Sequence, residues 1–181
     1  MKHKVIDNFL DKEYFDSLVN LFSYKKDNTP NNDMQWYFQS DPDNQKELLE
    51  HTHHIQSEDN PFSFYLKHML YIDHQIISLH YNNLIPLLEK LEVRALIRIK
   101  ANLFPNTKIV EEYAMHLDYP FSHSGAVLSL NTCDGYTKLK DGTKIDSIAN
   151  RILLFDTGKE MHCATTTSND YARFNILVNY M

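Results

Sequence analysis

Residues 151–180 read RILLFDTGKEMHCATTTSNDYARFNILVNY, and this stretch decides the class of fold that we expect. It contains three runs of apolar, β-branched and aromatic residues, separated by DTGKE and TSND. Both separators are rich in residues that favour turns, such as Gly, Asp, Asn and Ser. The stretch therefore predicts three short strands joined by turns, as in an antiparallel sheet.

The same pattern extends backwards through the second half of the chain. Residues 93–105 alternate between two sets of side chains, and further strand-like runs read GAVLSLNT, GYTKL and TKID. Two Asp-Gly pairs, beginning at Asp134 and Asp141, lie next to these runs, and Asp-Gly is the strongest short hairpin signal in a sequence. We expect a strand-rich core from about residue 93 to residue 181.

The first half of the chain has a different pattern. Apolar residues from Phe15 to Phe22 fall at helical spacing after Asp11, which is placed as an N-cap. An aromatic strand is expected around residues 36–38, and residues 61–91 are interpreted as helical with a break at Pro86. We predict one α+β domain over residues 1–181, with helical support over about 1–92 and a barrel or sandwich core after it.

Composition excludes several classes of protein. The net charge of −6 and the lack of any Lys/Arg block argue against a general nucleic-acid binder. The two cysteines lie far apart, which argues against a disulfide scaffold and favours a reducing compartment. The charged N-terminus predicts no signal peptide, and every apolar run is too short to cross a bilayer. We therefore expect a cytoplasmic protein without a membrane partner.

Four residues of the second half point to chemistry. His116 and Asp118 are two residues apart ahead of a strand-like run, so in an extended chain they share one face. His162 precedes the last strand, and Arg173 lies on it, eleven residues later. Two imidazoles and one carboxylate can form the facial triad of a non-haem Fe(II) site, which leaves coordination positions open. A guanidinium inside a barrel needs an anion, and it pairs well with a carboxylate.

This constellation resembles the motif of the Fe(II)/2-oxoglutarate-dependent dioxygenases, and in particular small prolyl-4-hydroxylase-like members from bacteria and viruses. The resemblance spans most of the chain, and it is strongest from Arg98 to Tyr180. It implies a double-stranded β-helix (jelly-roll) core with N-terminal supporting helices. It also implies catalytic metal ligands for Fe(II), an arginine for the cosubstrate 2-oxoglutarate, reaction with O2, and hydroxylation with release of succinate and CO2. The implied ligands are His116, Asp118 and His162, with Arg173 on the distal carboxylate of 2-oxoglutarate.

The sequence departs from this family where tyrosines often contact the cosubstrate. Ser129 occupies one such position, and Phe104, which has no hydroxyl group, lies near the other. We expect Asn102 or Ser129 to make the missing polar contacts. The departures weaken the case for a prolyl substrate, so the substrate class stays open between a peptidyl group and a small molecule. The sequence does not indicate an oligomeric state.

Two other functions remain open at this point: a jelly-roll binding module without turnover, and a cupin-like metalloenzyme that does not use 2-oxoglutarate. Other residues receive structural interpretations. His123 is expected either behind the metal ligands or at the surface, without binding metal. Cys163 is expected in the core, and the cluster of His51, His53 and His54 at a solvated helix end. Trp36, Tyr37 and Phe38 are interpreted as packing residues. Arg98 and Tyr119 could equally face the mouth of a substrate site or play no part in it.

Overall fold

The structure is a computed structural model that describes residues 3–23, 34–40 and 64–181. Within these ranges, strands dominate and the helices are short. The elements, in chain order, are β1 (His3–Ile6), α1 (Lys12–Phe22), β2 (Tyr37–Ser40), β3 (Phe64–Ile72), β4 (Gln75–Ile76), a 3₁₀ helix (Leu79–Leu84), α2 (Ile85–Lys90), β5 (Leu96–Pro105), β6 (Ser124–Ser129), β7 (Tyr136–Leu139), β8 (Lys144–Asp146), β9 (Ile152–Asp156), β10 (His162–Ala164) and β11 (Ala172–Tyr180).

The strands form two antiparallel sheets. The large sheet has the order β1-β9-β6-β11-β5-β3-β2, with β4 paired to β3, and the small sheet has the order β10-β7-β8. A bridge between His116 and His162 continues the small sheet on the other side of β10. The inner faces of the two sheets meet in a buried cluster of Val127, Leu139, Ile145, Leu153, Phe155 and Leu177.

The outer face of the large sheet is covered by helices. The helix α1 begins after Asp11, whose carboxylate accepts a hydrogen bond of 2.9 Å from the backbone N–H of Tyr14, as predicted for an N-cap. One core cluster joins the apolar side of α1 to α2 and to the outward-facing residues of the sheet, among them Leu18, Phe22, Leu87, Ile99, Ala101 and Ile176. This layer fixes β5 and β11 in place from behind.

The prediction of a helical segment over residues 61–91 is wrong for its first part. Residues Phe64–Ile72 form the nine-residue strand β3, which pairs with β5 through contacts such as Leu66 opposite Leu103. Only the 3₁₀ helix and the six-residue α2 are helical in this region. Apolar residues at positions 64, 66, 70 and 72 fit a two-residue period as well as a helical one, and pairing with β5 decides between them. Within the described part of residues 1–92, helical support is therefore corrected to a mixture of strands and short helices.

The two Asp-Gly pairs have different outcomes. Asp141 and Gly142 form the turn between β7 and β8, where Gly142 has a φ of 89°, so the predicted hairpin is confirmed. Asp134 and Gly135 form no hairpin, because β6 belongs to the large sheet and β7 to the small one. Cys133 and Cys163 are both buried and not bonded to each other. Within the described residues, no helix is both long and apolar enough to cross a membrane.

Candidate metal and cosubstrate site

The His116–His162 bridge brings three potential metal ligands together. Each backbone N–H of the pair donates to the carbonyl of the other residue, at 2.9 and 3.0 Å, and the ring centroids lie 4.7 Å apart. Asp118 follows two residues after His116, and its Oδ2 lies 4.0 Å from Nε2 of His162. One ligand atom from each of the three residues falls within 4.8 Å of the others. The group consists of the three residues predicted from the sequence, His116, Asp118 and His162.

Backbone carbonyls orient both imidazole rings. Nδ1 of His116 lies 3.1 Å from the carbonyl oxygen of Ala114, and Nδ1 of His162 lies 3.1 Å from that of Glu160. A carbonyl can only accept, so Nδ1 carries the proton and Nε2 keeps its lone pair. Such a hydrogen bond on the far nitrogen is the usual way in which a protein fixes a histidine that binds metal.

The charge state of the group suits a divalent cation. Burial and the neighbouring His162 lower the pKa of His116 to about 4, and burial also lowers the pKa of His162. Burial raises the pKa of Asp118, but the Arg98 guanidinium and the two histidines outweigh it, so this pKa lies well below its usual range. At neutral pH the site therefore offers two neutral imidazoles and one carboxylate.

Both oxygens of Asp118 are held by polar side chains. Arg98 Nη2 donates to Oδ1 at 2.7 Å, and Asn179 Nδ2 donates to Oδ2 at 2.9 Å. The Arg98 guanidinium also lies 4.9 Å from the ring centre of Tyr119. Arg98 is thus buried against Asp118, one of the three potential metal ligands. The sequence had left open whether it faces a substrate mouth.

His123 belongs to a buried network behind Asp118. Its Nε2 lies 2.7 Å from the hydroxyl of Thr157 and 3.2 Å from the amide nitrogen of Asn179. Asn179 in turn holds Asp118, so His123 supports the site without touching a ligand. The structure thus places it behind a potential metal ligand, the first of the two predicted positions. The cluster of His51, His53 and His54 lies outside the described residues.

His116, Asp118 and His162 line one wall of a cavity that is partly open to solvent. The aromatic residues Tyr65, Phe104 and Tyr113 pack together on one side of it. The remaining lining includes Lys100, Asn102, Val127, Thr137, Ala164, Asn175 and Leu177.

Arg173 lies behind Thr137, one of the residues that line the cavity, and it is 1% exposed. Its Nη2 donates to the hydroxyl of Thr137 at 2.9 Å, and Nη1 donates to the carbonyl of Tyr136 at 2.7 Å. The Nε atom is buried without a hydrogen-bond partner, and burial lowers the pKa of the guanidinium to about 10. No carboxylate of the described residues forms an ion pair with it. A buried cation in this state is costly, which favours an anionic ligand beside it.

Gly135 makes room for Arg173. A Cβ atom at this position would lie 2.7 Å from Cδ of Arg173 and 2.6 Å from the carbonyl oxygen of Thr166. A larger residue would therefore move the arginine or the neighbouring backbone. The sequence does not reveal this role of Gly135, because the Asp134–Gly135 pair between strand-like runs predicts a hairpin turn.

Asn102 and Ser129 have different positions. Asn102 lines the cavity, where Nδ2 donates to Oδ1 of Asn175 at 2.8 Å and its own Oδ1 is buried without a partner. Ser129 lies on β6, opposite Asn175 of β11. It is buried and is not among the described residues that line the cavity. The structure thus brings only one of the two predicted contacts to the cavity wall.

The residues present fit the metal and the cosubstrate that the sequence implies. Three ligand atoms of the preferred types converge, and their protonation state suits a divalent ion. Arg173 and Asn102 each have a buried polar atom without a hydrogen-bond partner, and Asn102 lines the cavity. Lys100 and Tyr65 were not predicted as lining residues. The sequence contained a signal for Lys100, because alternation along β5 places it on the same face as Asn102. It contained none for Tyr65, because the strand that carries Tyr65 was predicted as a helix.

The fold that holds this candidate site is similar to that of solved 2-oxoglutarate-Fe(II) oxygenases. No family model matches the sequence, and no curated protein matches it either. Solved structures do match, and among them are prolyl hydroxylases and a member of the 2-oxoglutarate-Fe(II) oxygenase family. The suspected resemblance is confirmed at the level of the fold.

Three of these structures illustrate the likeness. A prolyl hydroxylase from Trichoplax adhaerens, in complex with a peptide of the hypoxia-inducible factor, has a TM-score of 0.64 at 15% identity, over 99% of this chain and 83% of that chain. A 2-oxoglutarate-Fe(II) oxygenase family oxidoreductase from Burkholderia pseudomallei has a TM-score of 0.64 at 14% identity, over 98% and 84%. A viral collagen prolyl hydroxylase from Paramecium bursaria Chlorella virus-1, complexed with 2-oxoglutarate, has a TM-score of 0.54 at 12% identity, over 99% and 95%.

Proposed function

We propose that the protein is an Fe(II)- and 2-oxoglutarate-dependent dioxygenase, with residues 1–181 forming one oxygenase domain. One observation carries the proposal: three potential metal ligands converge on a cavity, and Arg173 lies buried behind its lining without an anionic partner among the described residues. The strand order supports a double-stranded β-helix, because the segments from β5 to β11 pass repeatedly between the large and the small sheet. The unpaired cysteines agree with a reducing, cytoplasmic compartment.

Each residue has a defined part in this function. His116, Asp118 and His162 hold Fe(II), which when bound supplies the activation of O2 for oxidation of a C–H bond. Arg173 binds the distal carboxylate of 2-oxoglutarate, and the amide of Asn102 offers a second polar contact. Ser129 remains a predicted contact. The sheets and the aromatic wall of the cavity exclude water from the reacting atoms.

The overall reaction consumes one 2-oxoglutarate, one O2 and one substrate C–H group. One oxygen atom enters succinate, which forms with loss of CO2, and the other converts the C–H group to C–OH. The substrate is a peptidyl group, with prolyl as one candidate, or a small molecule. A peptide is bound by the Trichoplax protein of similar fold, which supports the peptidyl alternative.

The two rival functions make different demands on these residues. A binding module without turnover tolerates the loss of a ligand, yet His116, Asp118 and His162 are all present and oriented. A cupin-like enzyme without 2-oxoglutarate has no use for a buried Arg173 beside the cavity. Both observations favour the dioxygenase.

The test is an anaerobic titration of metal-free protein with Fe(II) and 2-oxoglutarate, followed by visible absorption. We expect a weak charge-transfer band that requires both additions and is absent from His162→Ala. In Arg173→Gln the band should need roughly 100-fold more 2-oxoglutarate, since an ionic contact to a buried carboxylate is lost. Absence of the band and of bound iron in the wild type would support the binding module. A band that requires the same concentration of 2-oxoglutarate in Arg173→Gln as in the wild type would support the cupin-like enzyme.

A further inference from the structure

Positive side chains share the inner face of the large sheet although the chain carries a net charge of −6. Arg98, Lys100 and Asn102 alternate along β5 with outward-facing residues, so they share the face of the large sheet that points to the site. Lys67 lies opposite Asn102 on the neighbouring strand β3 and therefore shares that face. Three positive side chains thus share this face, and one of them, Lys100, lines the cavity.

Two of these cations have partners that account for them. Arg98 forms a buried ion pair of 2.7 Å with Asp118, and Lys67 donates to the amide oxygen of Gln39. Lys100 differs, because its Nζ reaches only the hydroxyl of Tyr65, at 3.3 Å, and lies 5.3 Å from the centre of that ring. No carboxylate within the described ranges approaches Lys100 to ion-pair distance. It lines the cavity directly, which Arg173 does not.

The electrostatic state of Lys100 reflects this lack of an anion. Burial and the nearby Arg98 lower the pKa of its ammonium group to about 7, although Asp118 opposes them. An ammonium group inside protein normally has a carboxylate or several oxygen acceptors around it. Tyr65 provides one oxygen atom and the negative face of a ring, which satisfies the group only in part.

Loading of the site does not supply the missing anion. The charges of a divalent metal and Arg173 balance those of Asp118 and the two carboxylates of 2-oxoglutarate. Because Asp118 is then shared between the metal and Arg98, the positive charges of Arg98 and Lys100 remain without a matching anion. A further anion is therefore needed to neutralise the loaded cavity, and the substrate is the component still to bind.

We propose that Lys100, assisted by the hydroxyl of Tyr65, binds a carboxylate of the primary substrate, so that the enzyme oxidises an acidic compound. This inference rests on the proposed function and defines its substrate class. The carboxylate belongs either to a small acid or to an acidic side chain of a peptide. The contact between Lys100 and the substrate carboxylate positions a C–H bond of the substrate near the metal. Arg173 remains bound to the cosubstrate.

The experiment measures probe binding to the anaerobic complex of protein, Fe(II) and saturating 2-oxoglutarate by calorimetry. The small probes are N-acetylglutamate and N-acetylglutamine, and the peptide probes are capped Ala-Glu-Ala and Ala-Gln-Ala. Within each pair the shape is matched and only the charge differs. We expect the acidic member of one pair to bind at least about tenfold more tightly than its amide, and that pair identifies the source of the carboxylate.

Three variants assign the preference to Lys100. Lys100→Gln should abolish the preference while the 2-oxoglutarate requirement changes less than about threefold, and Lys100→Arg should retain the preference. Lys12→Gln removes the same charge from an exposed site on α1 and should behave as wild type. Thermal unfolding of each variant confirms that it is folded.

Two results would overturn the inference. The acidic probes could bind no better than the amides, or Lys100→Gln could weaken 2-oxoglutarate as strongly as Arg173→Gln does, which would place Lys100 in the cosubstrate site. If the protein is not an Fe(II)- and 2-oxoglutarate-dependent dioxygenase, the result is distinguishable. The charge-transfer band of the wild type would then be missing before any probe is added.

Discussion

His116 and His162 occupy facing positions of an antiparallel bridge and exchange both of their backbone hydrogen bonds, at 2.9 and 3.0 Å. The backbone pairing, rather than side-chain adjustment, therefore sets the distance between the two rings. The carbonyls of Ala114 and Glu160, each two residues before its histidine, then set the ring orientations. The geometry of the site is a direct consequence of strand pairing at the edge of the small sheet.

Metal binding should depend on this pair. Addition of Fe(II) or Co(II) should raise the melting temperature of the wild-type protein, because a ligand at 100 times its Kd stabilises the folded state by about 2.7 kcal/mol. His116→Gln should lose this thermal shift. His74→Gln, which changes an exposed histidine at a turn, should keep it. A full metal-induced shift in His116→Gln would contradict the assignment of the ligands.

Arg98 should stabilise the metal-free protein. Its removal in Arg98→Met leaves the buried Asp118 carboxylate with Asn179 as its remaining polar partner, which should cost about 3 kcal/mol of unfolding free energy. Bound metal should restore part of the loss, because its charge replaces that of the guanidinium. Urea denaturation with and without metal measures both effects. The control is Arg151→Met, whose partner Asp7 is largely exposed, and equal losses in the two variants would refute the prediction.

Gly135→Ala should act through Arg173. The new methyl group collides with the arginine stem and with the Thr166 carbonyl, so we expect destabilisation of about 1 to 3 kcal/mol and weaker binding of 2-oxoglutarate. The 2-oxoglutarate requirement is measured from the charge-transfer band. In the background of Arg173→Gln, the same substitution should weaken 2-oxoglutarate binding little further. Additive effects in the double variant would show that Gly135 does not act through the arginine.

Lys100 should make stability depend on pH above neutrality. Its pKa is about 7 in the folded protein and near that of a free lysine in the unfolded chain, so between these values the unfolded chain binds more protons. Stability of the metal-free protein should therefore increase with pH, by about 2 kcal/mol between pH 7 and pH 9 from this group.

The comparison with Lys100→Met isolates this contribution from those of other titrating groups. The variant should be more stable than wild type at pH 7, and the difference should shrink as the pH rises. Denaturant unfolding of both proteins at pH 7, 8 and 9 provides the measurement. Parallel pH profiles would show that Lys100 keeps an ordinary pKa.

Much of the fold was predictable from local pattern. The N-cap at Asp11, the turn at Gly142 and the strands that follow residue 95 depend on short-range preferences that any tertiary context preserves. The strand β3 was not predictable, because its apolar residues fit two periods and its pairing with β5 decided between them. Local preference is a weak determinant wherever a partner strand supplies the hydrogen bonds.

The candidate site divides in the same way. The sequence alone determined the residue types: a His and an Asp on one strand face, a second His, and an Arg on the last strand. The tertiary structure alone decided that His162 stands across from His116, that Gly135 admits Arg173, and that Lys100 faces the cavity without a carboxylate. The physical reason is the sequence separation over which each interaction acts. Periodicity fixes which face a side chain takes within its own strand, whereas neighbours and unpaired charges arise from contacts between strands far apart in sequence.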